Sequence, residues 1–370
     1  MPLSKIVAKS ITDDTITTDQ IADNSVHGRR NLIINGGMTV AERGTQSSVT
    51  SAQYGSCDRF YWFSSADDTV TLSQDTSAPD GFKNSFKLAV TGADSSLAAN
   101  QVARIEQRIE GQNLRHLKYG VSSAESVTLS FYVKTNKTGT YVASIYEETG
   151  TNVISKTYTV SSADTWEFKS ITFPGLTSAS ITATTGTGLR VWWGIGAGSN
   201  YTGGSNDAWA SGATNWFEGQ AVNVLDSTSN TFFLTGVQLE VGDKATPFEH
   251  RSFSEELQSC RRYFYAQQPK GLTSQATNDA NCILGTSYGA NNVYAVVEFQ
   301  TEMRTYPAVS SGGTWYARAN NSISFTGAFG TQRRGRNNYT VGQTAGSHSA
   351  GATLWCEPGN GSYLYFDAEL

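Results

Sequence analysis

From Asn31 onward the chain repeats one theme: short stretches in which apolar and polar side chains alternate, separated by clusters of Gly, Ser, Asn and Asp. A period of two predicts strands with one buried face, and the clusters predict turns. NLIINGGM (31–38), YGSCDRFYWF (54–63), TVTLSQ (69–74), SFKLAVTG (85–92) and QVARIEQRIEG (101–111) open the series. SVTLSFYVKT, GTYVASIYEE, TWEFKSITFP, ASITATTG and LRVWWGIGAG carry it to Gly198, and TFFLTGVQLE (231–240) closes it. Strand candidates spaced by roughly 10 to 20 residues predict two facing antiparallel sheets, a jelly roll, over residues 31–250.

The pattern changes character after that last strand. Phe253, Leu257 and Cys260 or Arg261 fall at helical spacing behind Ser252 or Ser254, and Glu255 and Glu256 lie in the first turn, so a short capped linker helix is predicted within 251–265. Alternation then resumes in CILGTSY, VYAVVEFQ, TWYARA, SISFTG, ATLWCEP and SYLYFDAEL. About six strands suffice for a second, smaller β-sandwich over 266–370. The segments TSQATNDAN (273–281) and RRGRNNYTVGQTAGSHSAG (333–351) read as loops. The expected fold class is all-β.

Residues 1–30 obey a different rule. Ile6, Ile11, Ile16, Ile21 and Val26 recur every five residues between polar tetrads, which is neither the helical nor the strand period. Such a segment cannot bury its own aliphatics. It is either disordered or an extended anchor that associates with other copies and docks on a partner, and the repeated aliphatics favour the anchor.

Composition narrows the function classes. With 36 Gly, 11% aromatic and only 16% charged residues, the chain suits antiparallel sheets and polar turns. The formal net charge is −5, and neither the residues through His250 nor those from Arg251 onward carry the basic excess of a nucleic-acid binder. Cys57, Cys260, Cys282 and Cys356 are scattered without zinc-site spacing and read as core thiols. No apolar run is long enough to span a bilayer, and MPLSKIVAKS lacks a signal-peptide core, so synthesis in a cytoplasm without membrane insertion is expected.

Candidate chemistry is sparse on the catalytic side. There are four histidines and no GxSxG or HExxH pattern, so no catalytic residue is assigned. Glu106 and Glu110 lie on one strand face at about 13 Å by strand rise, beyond glycosidase separations, and with Arg104 and Arg108 they read as a solvated salt-bridge ladder. Tyr201, Asn206, Asp207, Trp209, Asn215 and Trp216 bring flat rings and hydroxyl partners to a glycine-rich loop at 198–218. They are the tentative carbohydrate site, against the alternative that both tryptophans fold back over a sheet edge or an interface. Arg333, Arg334 and Arg336 form a basic loop that is either a solvated turn or a contact for anionic lipopolysaccharide or sulfated glycan. No cofactor or metal site is assigned, although Asp207, Asp226, Asn230 and Asp243 could join carbonyls around calcium.

Several stretches carry a resemblance when taken together: NLIINGGMTVAERGT (31–45), DRFYW (58–62), QRIEGQNLRHL (107–117), VTLSFYVKTNKTGTY (127–141), the run from Phe232 to Tyr265, MRTYP (303–307) and the terminal DAEL. They resemble tail-fibre and related virion structural proteins of tailed bacteriophages, marine and cyanobacterial ones especially. The first domain is also similar to the jelly-roll carbohydrate-binding modules of polysaccharide-degrading enzymes. The resemblance implies a homotrimer or other oligomer on the virion, attached to tail or adaptor proteins through residues 1–30, with β domains facing host polysaccharide or lipopolysaccharide. A structural virion protein without host binding, such as a head fibre, decoration or tail adaptor, is the alternative, and a polysaccharide-binding module or depolymerase is a second.

Overall fold

The computed structural model describes residues 29–204, 207–211, 215–268, 282–288, 292–318, 322–326, 329–344, 351–359 and 361–370. The repeated aliphatics Ile6, Ile11, Ile16, Ile21 and Val26, and the loop residue Asn206, lie outside these. The fold is all-β, as the alternation predicts.

The first sandwich contains β1 (Gln46–Val49), β2 (Gln53–Tyr54), β3 (Tyr61–Ser64), β4 (Thr69–Asp75), β5 (Ser85–Gly92), β6 (Val102–Glu110) and β7 (Val127–Thr135). It continues with β8 (Gly139–Glu147), β9 (Asn152–Val160), β10 (Glu167–Phe173), β11 (Thr187–Ala197), β12 (Ala210–Ser211) and β13 (Thr231–Val241). One antiparallel sheet has the order β1-β4-β5-β13-β7-β10 and the other β12-β9-β8-β11-β6-β3-β2. This is a jelly roll, with Trp62, Trp193, Phe60, Phe86 and Phe131 filling the space between the sheets. Trp193 meets Phe131 edge to face, with ring centroids 6.0 Å apart.

Two expected strands are irregular throughout, and a third, YGSCDRFYWF, is strand only at its ends, since residues 55–60 form a turn between β2 and β3. NLIINGGM is held by buried asparagines rather than by a ladder. Asn31 Nδ2 donates to Val237 O at 3.0 Å while its Oδ1 accepts from Leu239 N and Ile33 N. Asn35, at φ 62°, donates to Val40 O and Asp58 O. Gly36 lies so close to β13 that a Cβ there would sit 2.0 Å from Val237 O. ASITATTG also forms no strand, and its backbone carbonyls of Thr184 and Gly186 accept from Gln112 N and Gly111 N.

The β13 strand is buried along nearly its whole length, with one phase change. Phe232 and Leu234 enter the core, the register shifts between Thr235 and Gln238, and Val237 and Leu239 enter it again. Gly236, at φ 60°, makes the bulge possible. The alternation expected on this strand therefore reverses midway.

The junction helix spans Phe253–Arg261 and begins with the expected cap, a capping box between Ser252 and Glu255. It buries Glu256 and Cys260, whereas Phe253 is exposed. Glu256 faces inward because its carboxylate accepts from Asn35 N.

The second sandwich is built from β14 (Phe264–Gln268), β15 (Ile283–Tyr288), β16 (Asn292–Glu298), β17 (Ala308–Gly312) and β18 (Thr314–Arg318). It also has β19 (Ser322–Thr326), β20 (Gly330–Arg334), β21 (Asn338–Thr344), β22 (Thr353–Pro358) and β23 (Tyr363–Asp367). A three-stranded sheet, β14-β23-β17, faces a seven-stranded one, β19-β18-β22-β15-β16-β21-β20, around Trp315, Tyr339, Leu354 and Phe366. The strand count exceeds the expected six by four: AVSSG, GTQRR and NYTVGQT are too polar to show a buried face in sequence, and FYAQQ begins inside the stretch expected as linker. Asn338–Thr344 in particular, expected as loop, is a seven-residue strand paired with β16.

The sandwiches meet through charged side chains. Arg59, 1% exposed, bonds Glu369 and lies over the Tyr263 ring at 3.5 Å. Arg43 pairs with Asp58, Asp367 and Glu369, its guanidinium 3.6 Å from the centre of the Phe264 ring. Arg262 forks onto Glu110 at 2.8 and 2.9 Å, and Tyr263 donates to the same carboxylate. Arg261 likewise forks onto Glu42.

Candidate functional site

The alternating charges of β6 occupy the face of the second sheet that points away from the jelly-roll core. Pairing sets out this surface in rows: Tyr61 opposite Glu106 and Glu106 opposite Trp192, with Trp192 opposite Ser144. A second row contains Phe63, Arg104 and Gly194, and a third Arg108, Arg190 and Tyr146.

Contrary to expectation, the charge ladder is not solvated. Glu106 and Glu110 are fully buried. Glu106 receives Arg104 Nε at 2.9 Å, Arg108 Nε at 2.5 Å and Arg190 Nη1 at 3.5 Å. Burial alone would raise the Glu106 carboxyl, but the charges of Arg104, Arg108 and Arg190 hold it below the usual glutamate value. Arg104, by contrast, is pushed down by burial.

Water is displaced from this face by the chain after β11, which folds back over it. Ser144 Oγ donates to Trp216 O, and Gln220 Oε1 accepts from Val142 N at 2.7 Å. The fold-back needs the absent side chain of Gly194, where a Cβ would lie 2.7 Å from Gln220 Oε1 and 2.9 Å from the Phe217 ring.

An aromatic stack results. Trp192 lies against Tyr146 with centroids 4.8 Å apart and planes at 23°, and Trp216 leans on Trp192 at 5.5 Å. Tyr201 stacks on Trp216 at 4.7 Å and 24°. The Arg104 guanidinium is 4.1 Å from the Phe63 ring centre, 4.5 Å from Trp192 and 5.3 Å from Trp216. Trp192 is buried, while Phe63, Tyr146, Tyr201 and Trp216 are half-buried.

Three donors in this cluster lack a partner among the described residues: Arg104 Nη1, Trp192 Nε1 and Trp216 Nε1. Buried donors without acceptors are costly and rare. These donors are out of reach of solvent, so what this face offers a ligand is the half-open rings of Tyr201 and Trp216, which can receive the C–H face of a sugar.

The tentative site residues thus separate. Tyr201 and Trp216 come together, and Asn215 beside them is half-buried. Trp209 goes elsewhere: its indole donates to Pro174 O at 2.8 Å and its ring meets Tyr119 edge-on. Asp207 pairs with Lys156 at 3.1 Å, alongside β9. In the second sandwich Arg333 and Arg334 are both exposed on β20, paired with Thr340 and Tyr339 of β21. Arg336 is engaged by Met303 O and by Glu302 at 2.8 Å.

Of the calcium candidates, Asp226 is bonded by Lys137 and Asn230, and Asp243 O accepts from Thr172. Among the described residues no three His, Cys, Asp or Glu side chains converge to hold a metal ion. Sequence alone does not single out Arg104, Trp192, Tyr146 and Phe63 as site residues. The available signal is the charged alternation of β6, whose covering segment the local pattern does not reveal.

No protein-family model matches the sequence. No curated protein matches it either. Among solved structures, the chain is similar to the enzymatically active domain of tailspike protein 4 of bacteriophage CBA120, at 15% identity and a TM-score of 0.30. That match covers 57% of this chain and 21% of the tailspike chain, so the chain spans about a fifth of that protein. A family 11 carbohydrate-binding module of the cellulosomal cellulase Lic26A-Cel5E of Clostridium thermocellum matches at 11% identity and a TM-score of 0.27, over 54% of this chain and 99% of its own. A tandem family 22 carbohydrate-binding domain from Paenibacillus barcinonensis matches at 9% identity and a TM-score of 0.29, over 92% and 98%. The fold assignment rests on the sheet order and cores described above.

Proposed function

We propose that this chain is a non-enzymatic bacteriophage virion protein, a tail fibre or tail-associated host-recognition protein, whose β domains contact host surface glycan. The observation that carries the glycan reading is the half-open Tyr201–Trp216 stack, with half-buried Asn215 beside it. A pyranose ring lays its C–H face on an aromatic ring and gives its oxygens to donors at the ring edge. The virion reading draws on the sequence motifs and on residues 1–30 as an anchor to tail or adaptor proteins. Association as a homotrimer would multiply weak glycan contacts through avidity.

Glycan-array binding by the full chain tests this reading. The expected result is retention on a host-type polysaccharide, with at least a tenfold loss for Trp216→Ala and for Tyr201→Ala. Equal retention by both variants removes the stack from the site, and release of reducing ends from the polysaccharide removes the non-enzymatic claim. Deleting residues 1–30 is expected to abolish incorporation into particles, and normal incorporation of the shortened chain would defeat the anchor assignment.

A further inference from the structure

On the second sandwich, Leu284 (66% exposed), Tyr288 (67%), Val296 (51%) and Trp355 (60%) stand open to solvent. The alternating burial of β15, β16 and β22 sends their neighbours into the core and these four to the outer face. Leu284 is paired with Trp355, and Thr286 with Tyr294. Tyr288 stacks on Tyr294 with centroids 5.5 Å apart and planes at 29°. Val296 is paired with Thr340, which is in turn paired with Arg333. A groove of about 600 Å³ runs along this face, lined by Leu284, Thr286, Tyr294, Val296, Glu298 and Thr353.

We infer that this face is a second sugar-binding platform, separate from the Tyr201–Trp216 stack, which takes a neutral oligosaccharide laid across β22, β15 and β16. It rests on the glycan reading above and names a site for it. Trp355 and the Tyr288–Tyr294 pair supply flat apolar faces on a rigid sheet, and Leu284 and Val296 extend them for further C–H contact. Thr286, Thr340 and Thr353 set hydroxyls between the rings. Arg333 and Glu298, both exposed, bring one charge of each sign to the flank, which favours no charged chain.

A second copy of the chain fits less well. At about 150–250 Å² for a whole aromatic side chain, the exposed parts of these residues offer on the order of 500 Å². A stable protein interface needs about 800 Å² from each partner. The groove volume instead falls among small-ligand sites, which span roughly 300–1,000 Å³.

Calorimetric titration of the full chain with cellohexaose, laminarihexaose, mannohexaose and an alginate hexasaccharide tests the inference. At least one neutral hexasaccharide is expected to bind, with affinity reduced tenfold or more in Trp355→Ala and little affected by salt. The melting temperature of Trp355→Ala should match that of the parent, because the ring is exposed. Binding of the alginate probe alone, unchanged affinity in Trp355→Ala, or no binding by any probe would overturn the inference. So would sedimentation showing an oligomer that Trp355→Ala disperses, which would assign the face to a second copy. Adsorption to host cells separates the two proposals: if Trp355→Ala adsorbs normally while Trp216→Ala does not, only the second platform fails.

Discussion

The carboxylate of Glu369 bonds the guanidinium of Arg59 across the joint between the two sandwiches, with both side chains almost wholly out of water. Each neutralises a charge that the other would leave buried. Removing one partner of such a pair costs about 3–5 kcal/mol. Glu369→Ala is therefore expected to destabilise the joint by about 3 kcal/mol. Chemical denaturation followed by fluorescence should change from one transition to two as the sandwiches uncouple, and an unchanged single transition would count against a coupling role.

The acidic groups of the joint titrate in opposite senses. Burial alone would raise Glu110, but hydrogen bonds from Arg262 and Tyr263 and the charges of Arg262 and Arg304 hold it below its usual value. Its stabilising contribution is complete above the unfolded value of about 4.3 and is lost as pH falls through the lower folded value. Asp58 is pushed up to about 7 by burial, with Arg43 opposing. Its contribution is complete below the unfolded value of about 3.9 and is lost as pH rises through the folded one. Thermal melts should show a maximum at mildly acid pH, with Glu110→Gln flattening the acid limb and Asp58→Asn the neutral limb.

The asparagine-held segment before β1 makes a steric prediction. Gly36→Ala would place a Cβ 2.0 Å from Val237 O, so either the segment or β13 must move. A loss of at least about 2 kcal/mol is expected in denaturant unfolding. Gly81→Ala is a useful contrast, since nothing lies within 4 Å of its Cβ position and its cost comes only from φ 89°.

At the junction helix, Ser252→Ala removes an acceptor for Glu255 N and half of the capping box. About 1 kcal/mol should be lost in denaturant unfolding. Ser252→Asp should recover most of it.

How much of this is legible in the sequence depends on the range of the interactions concerned. Period-two alternation locates most strands of the jelly roll, and Ser252 with Glu255 announces the helix, because both signals are local. Asn31 and Asn35 read as strand residues since their partners, Val237 and Asp58, are remote in sequence. Glu106 reads as solvated for the same reason: Arg190, which reaches its carboxylate from β11, lies 84 residues away. Tyr201 and Trp216 stand out as ring-bearing loop residues, but Arg104 and Trp192 beneath them do not.

The bond between Arg59 and Glu369 joins positions 310 residues apart. Closing so long a loop is entropically the last favourable step, since it gains nothing until both cores exist. Aim is therefore a separate event from folding in this molecule. Each sandwich can be complete while the angle between them is still undetermined, and a single exchange at the joint could alter where the outer face points without altering either sheet.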